Sequence, residues 1–257
     1  MKKKFSIFSS FSLKIIAIIS MIIDHIGSII FSFRGIIKPY LNEDGLFFIT
    51  DDMPFLIRNA MQIKNICNII GYIAFPIFAF LIVQGFLHTR SKEKYMLRLG
   101  IFALISEIPF DIAHFQTIMC LKLQNVMFTL LIGFVTIYFL EKIIKNNRNT
   151  TFKKILFGIL IFLLSTAISF VFRTEFAFLG VATMVLMYLL RKNWKLQLLG
   201  LAPLIIVSPF VLLSLIPLAL YNGEKGKGFK YFFYLFYPIH FIVLVLISNY
   251  LTMILSK

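Results

Sequence analysis

An aspartate and a histidine stand side by side, Asp24 and His25, inside an apolar run from Leu13 to Phe33. Ionisable groups in such a run cost at least about 2.5–3.5 kcal/mol each on insertion scales, so each is a candidate for function. Counted from Lys14 at about 1.5 Å per helical residue, the pair lies roughly 16 Å deep, near the middle of a hydrocarbon core about 30 Å thick. An imidazole there is suited to take and return a proton near neutral pH. Adjacent helix positions diverge by about 100°, which predicts that Asp24 and His25 do not face one target. One would do chemistry while the other is tethered to a cation or to backbone.

A second cluster follows on one helical face, where Glu107, Asp111 and His114 are spaced by four and three residues. Arg98, about two and a half turns earlier, is placed to meet a phosphate or an acid. The structural alternative is an interhelical ion-pair network using Arg98 and Arg173. Asp24, His25, Glu107, Asp111 and His114 are also residue types that bind divalent ions, but their spacing fixes no geometry and no metal is expected. Gln124, Asn125 and Thr129 carry amide and hydroxyl groups into a further apolar stretch, where they serve a polar acceptor or join helices. Tyr221-Asn222-Gly223, with Lys225 and Lys227 beyond it, makes a basic loop whose backbone can approach phosphates. Tyr231, Tyr234 and Tyr237 suit the interface of a membrane, and His240 beside them goes further than anchoring requires. There is no GxSxG, Walker A, Rossmann or HExxH pattern.

The elements that carry these residues are membrane helices. The chain has 257 residues, 60% hydrophobic and 16% aromatic, with a mean hydropathy of +0.91. Apolar stretches at 13–33, 66–87, 95–113, 124–140, 155–172, 176–190, 197–220 and 231–255 predict an all-α, polytopic transmembrane bundle of eight or nine segments. Charged Asp24 and His25, and the lack of a small-x-small cleavage site, make the first stretch an uncleaved span rather than a secretory signal. The formal charge of +15 sits mostly in the connecting loops. Lys2 to Lys4, His88 to Lys94, Lys142 to Lys154 and Arg191 to Lys195 fall on one side, expected to be the cytoplasm of a bacterial inner membrane. That charge therefore points to anionic lipid and topology, not to nucleic acid.

The loop from Glu224 to Lys230 is basic but would land outside if 197–220 crossed once. Pro203, Pro209 and Pro217 in that stretch predict two half-helices that return the chain to the cytoplasmic side. Residues 34–65, with Asn42-Glu43-Asp44-Gly45 and Asp51-Asp52, are expected to form an extracytoplasmic loop insert within a single domain over 1–257. Cys67 and Cys120 make neither a disulfide framework nor a thiolate metal site.

Several blocks together resemble the TraX family. They are Leu13 to Ile19 running into Ile23-Asp24-His25-Ile26-Gly27; Ala74 to Leu81 with Gly85-Phe86 and His88-Thr89-Arg90; and Tyr95 to Asp111. Gln124-Asn125-Val126, Phe128-Thr129-Leu130, Tyr221-Asn222-Gly223 and Tyr231 to His240 follow in the family's order. The family's Gly-Arg before Ala-Phe-Pro is Gly71-Tyr72 here, which removes one expected cation.

The resemblance implies an integral membrane acyltransferase, since TraX acetylates the amino terminus of a conjugative pilin. It implies acetyl-CoA as cosubstrate, with its phosphates near Lys92, Lys94, Arg98, Lys225 and Lys227. The acceptor would be a peptide, a protein or a small polar molecule offering an amine or hydroxyl. His25 would act as base, oriented by Asp24 or Glu107, with Asp111 in the same catalytic group. Gln124, Asn125, Tyr237 and His240 would hold the acceptor or the oxyanion. Rival readings from other classes are a proton-coupled transporter, against which no repeated half is found, and a non-enzymatic assembly factor.

Overall fold

The computed structural model describes residues 6–228 and 230–256; Lys2 to Lys4 and the side chain of Tyr231 lie outside the described residues. Helix α1 (Ser10–His25) starts at an N-cap where the Ser9 hydroxyl accepts from the backbone N–H of Ser12 at 3.2 Å. It continues as a π-helical turn over Ile26–Ile30. A mostly irregular segment with a short α2 (Phe55–Arg58) leads to α3 (Ala60–Gly71) and α4 (Ala74–His88). The expected insert over 34–65 is therefore shorter than its sequence limits. Gln62, Lys64 and Asn65 read as loop, but they lie within α3, which packs on α1 with the Lys64 backbone facing Gly27.

Then come α5 (Lys92–Phe115), α6 (Val126–Lys145), α7 (Thr151–Val171) and α8 (Ala177–Leu189). A short α9 (Trp194–Leu198) runs into a 3₁₀ stretch over Leu199–Ile206. At Ser208 the backbone is extended (φ −164°, ψ 137°), and a second 3₁₀ stretch, Pro209–Ser214, runs into α10 (Leu215–Ala219). The last helix is α11 (Lys230–Leu255).

The reversal at Ser208 returns the chain to the end it came from. Ile7 and Phe8 donate backbone N–H groups to the Leu220 carbonyl, and Asn222 donates to that of Phe8. Ser10 and Phe11 likewise meet the carbonyls of Glu224 and Lys225. The start of α1 and the Tyr221–Gly228 loop thus share one end of the molecule with the Lys92, Lys145 and Arg191 turns. We call this the basic end.

Among the described residues, five helices are long and apolar enough to cross a membrane: Ser10–Ile30, Ala60–His88, Val126–Lys145, Thr151–Val171 and Phe232–Leu255. Helix α7 shows what surrounds them. It buries Ser165 and Ser169 while Leu163, Leu164, Phe170 and Val171 point outward, each more than half exposed. Such an inside-out surface is stable against lipid chains and not against water. The protein is an all-α, integral membrane bundle.

Small residues bring its helices close. A Cβ added at Gly27 would lie 2.6 Å from Cys67 Cβ, and one at Gly71 would lie 2.4 Å from Asp24 Oδ1. The α1 to α3 contact therefore depends on glycine at both faces.

Candidate active site

The π-helical turn that follows His25 sits where three imidazoles meet. His25, from α1, stacks on His240 of α11 with ring centroids 4.9 Å apart, and the His114 ring of α5 stands edge-on at 6.0 Å. Phe241 closes the cluster at 4.6 Å from His25. The hydrogen bonds assign the tautomers. His240 Nδ1 faces the Phe236 carbonyl at 3.2 Å, and a carbonyl only accepts, so that nitrogen carries the proton. His240 Nε2 is then an acceptor, and His25 Nδ1 donates to it at 2.6 Å. The neutral His25 is left with an unprotonated Nε2, 3.9 Å from Asp24 Oδ2.

Asp24 and His25 thus face one target, contrary to the expectation from helical spacing. Both line a cavity of about 510 Å³. The 100° divergence holds at Cβ, but the length of the two side chains brings His25 Nε2 within 3.9 Å of Asp24 Oδ2. The chain also leaves α geometry after His25 for a π turn, a distortion found often at functional sites. The same cavity is lined by His114, Tyr72, Phe110 and the run Glu175 to Leu179.

Glu175 is the functional candidate that sequence reasoning missed. It lies in the turn between α7 and α8, where Arg173 (φ 52°), Phe176 (φ 61°) and Ala177 (φ 37°) are all left-handed. Non-glycine residues persist in that region when their surroundings enforce it, and such strain gathers at functional sites. Here the Gln124 backbone enforces it, donating to the Arg173 carbonyl and accepting from Glu175 N–H, both at 3.0 Å. The Thr129 hydroxyl also donates to the Glu175 carbonyl. The signal in the sequence is two charges, Arg173 and Glu175, breaking an apolar run from Ile155 to Leu190.

Other expected site residues have different duties. Glu107 does not line the cavity: its Oε2 accepts from the Asn125 backbone at 3.2 Å and from Asn125 Nδ2 at 2.5 Å. Asp111 accepts from the Cys120 backbone N–H at 2.7 Å. Both carboxylates hold the loop between α5 and α6, and neither reaches His25 to orient it. Asn125 gives its second amide hydrogen to the Ala103 carbonyl at 2.9 Å and caps α6 through Met127 N–H at 3.0 Å. It has no amide hydrogen left for an oxyanion. Tyr237 is buried against the Val126 backbone N–H, and the Gln124 amide is bonded to the Cys120 carbonyl. Arg98 and Arg173 form no ion pair with Glu107 or Asp111 among the described residues.

Four of the five expected phosphate-binding residues share one end of the bundle, away from the cavity. Lys92 is bound by Glu141 and lies 4.2 Å over the Phe86 ring, while Lys94 is exposed. Both are at the basic end. Along α5 they stand about 24–27 Å from Phe110, which lines the cavity. Lys225 and Lys227 lie in the loop packed on the start of α1, also at that end. Arg98 is different. It lies roughly 18 Å from Phe110 along the same helix, embedded beside Tyr95 and Tyr234, and its Nε is buried without a partner.

An α-helical membrane bundle that gathers a histidine cluster and two carboxylic side chains beside a cavity defines an integral membrane protein with ionisable groups grouped within its helices. The chain belongs to the TraX family, whose model, "TraX protein", matches residues 9–248. It is also 28% identical over 264 residues to "Probable fimbrial assembly protein FimC, serogroup H1" of Dichelobacter nodosus, spanning 92% of this chain and 94% of the relative. No solved structure matches.

Proposed function

We propose that this protein transfers an acyl group, acetyl in the first instance, from acyl-CoA to an amine or hydroxyl acceptor at the membrane, with His25 as the base. The observation that carries the reading is the hydrogen-bond order Phe236 carbonyl, His240, His25. It leaves a lone pair on His25 Nε2 beside a cavity large enough for a reacting group. The acceptor nitrogen or oxygen attacks the thioester carbonyl carbon, and its proton passes to His25 Nε2. The C–S bond then breaks and the departing CoA sulfur takes that proton back, so the imidazole ends as it began. Asp24, 3.9 Å from that nitrogen, stabilises the imidazolium while it exists, and Glu175 lines the same cavity. Arg98 anchors the CoA phosphates better than Lys92, because Lys92 already has Glu141.

This assigns the transfer to a bacterial cell membrane with the basic end in the cytoplasm, following the bias of Lys and Arg toward cytoplasmic loops. The name of the Dichelobacter nodosus relative favours a second reading, a role in fimbrial assembly without catalysis. Purified protein in detergent, given radiolabelled acetyl-CoA and peptide or small amine acceptors, separates the two. Transfer should slow by at least about 10²-fold in His25→Gln, because glutamine hydrogen-bonds but cannot take the proton, with acyl-CoA binding preserved. Full activity in that variant removes the catalytic assignment, and no thioester consumption by the wild type leaves the assembly reading.

A further inference from the structure

A second cavity, of about 380 Å³, lies on the other side of His114, at the end of the bundle away from the basic loops. It forms where the last turn of α5, the π turn of α1 and the outer part of α11 converge. Its polar wall carries two cations, Arg34 and Lys38, together with the Gln116 and Asn249 amides. Its remaining wall carries the Thr117 and Ser248 hydroxyls and a set of aliphatic side chains that includes Ile112, Ile118 and Val245. Neither cation has an ion pair among the described residues. Arg34 instead donates to the His114 carbonyl, and its guanidinium lies 6.0 Å from the Phe115 ring centroid. Gln116 is held at φ 58° as α5 ends, a left-handed conformation in which its backbone N–H closes the helix on the Ile112 carbonyl.

We propose that this cavity is a binding site for an anionic phospholipid. A phosphate diester, the group common to anionic phospholipids of either leaflet, matches two cations backed by amide donors. The aliphatic side chains of the same cavity match acyl chain, which a soluble anion does not supply. The lipid phosphate thereby completes the coordination of Arg34, and Arg34 in turn fixes the backbone of His114 beside His25. This site is separate from the acyl-transfer reading and is tested without any transfer assay.

The full chain in detergent is titrated with phosphatidylglycerol, with phosphatidylcholine and with inorganic phosphate, and bound lipid is counted by native mass spectrometry. One phosphatidylglycerol should bind at least about tenfold tighter than phosphatidylcholine, and inorganic phosphate should not displace it. Lys38→Ala should weaken that binding about tenfold, the effect of losing one charge-assisted hydrogen bond. Lys38 is exposed, so this variant should keep its elution profile; Asn249→Leu is the second probe, expected to weaken binding less. Arg58→Ala, an exposed cation outside the cavity, should leave binding unchanged. Equal affinity for both lipids, displacement by inorganic phosphate, indifference to both cavity variants, or an equal loss in Arg58→Ala would each overturn the site.

Discussion

The two ends of the bundle treat charge in opposite ways. At the basic end, Glu141 accepts from Lys92 and from Lys145 at 2.9 Å, Tyr138 donates to Glu93 at 2.8 Å, and Arg191 lies 3.8 Å over the Tyr188 ring. At the other end, Asp24, Glu175 and three histidines converge with no lysine or arginine ion-paired to either carboxyl among the described residues. Paired charges near water contribute modestly and fix topology; unpaired ionisable groups away from water are costly and are kept for chemistry. The difference separates the part of this protein that orients it from the part proposed to react.

The largest effect expected from that contrast is all-or-none. A cysteine placed at Lys92 should be silent to an impermeant thiol reagent added outside whole cells, while cysteines at Asp44 and Asp51 react. A cysteine at Gly226 should also be silent, because the reversal at Ser208 returns that loop to the basic end. Labelling at Lys92 from outside would invert the two ends.

Next in size is the packing that holds Asp24. Gly71→Ala should lower stability in detergent by about 1–3 kcal/mol, a cost typical of overpacking, because the added carbon meets the Asp24 carboxylate. Acyl transfer should fall further than stability does if Asp24 must stay beside His25. A variant with unchanged thermal midpoint would show that α3 has room to withdraw.

Between the ends, Arg98→Met should raise KM for acyl-CoA about tenfold, and Lys92→Ala should raise it less. Loss of one charged hydrogen bond corresponds to about that factor. The Lys92 effect should shrink in high salt, since charges close to water are screened over about 8 Å at physiological ionic strength. The reverse ranking would return the phosphates to the basic end. The smallest effect belongs to Lys145→Ala, which removes an exposed i,i+4 partner of Glu141 and should change stability by about 0.3–0.5 kcal/mol. A larger loss would mean that the basic end is more than an orienting surface.

How much of this was written in the sequence differs between the same two ends. The helices, their approximate limits, the basic loops and the proline-broken return over 197–220 follow from runs of apolar residues and from proline's missing N–H, both local properties of the chain. Asp24, His25 and Arg98 stood out because charge in an apolar run is conspicuous by itself. The roles of Glu107, Asp111 and Asn125 were not legible, since spacing along α5 shows which side chains share a face but not that a loop nine to eighteen residues away takes their hydrogen bonds. Nor could spacing place Glu175, which reaches the cavity only because Gln124 and Thr129 hold its turn. The His25 to His240 bond joins residues 215 positions apart, and with it the tautomer that frees His25 Nε2. Sequence alone determined that the chain lives in a membrane and which end carries the positive charge, because lipid and membrane potential act on each segment in turn. Which nitrogen of His25 is free to take a proton was decided only when α1 and α11 packed together, because a hydrogen bond requires two groups within about 3 Å whatever their distance along the chain.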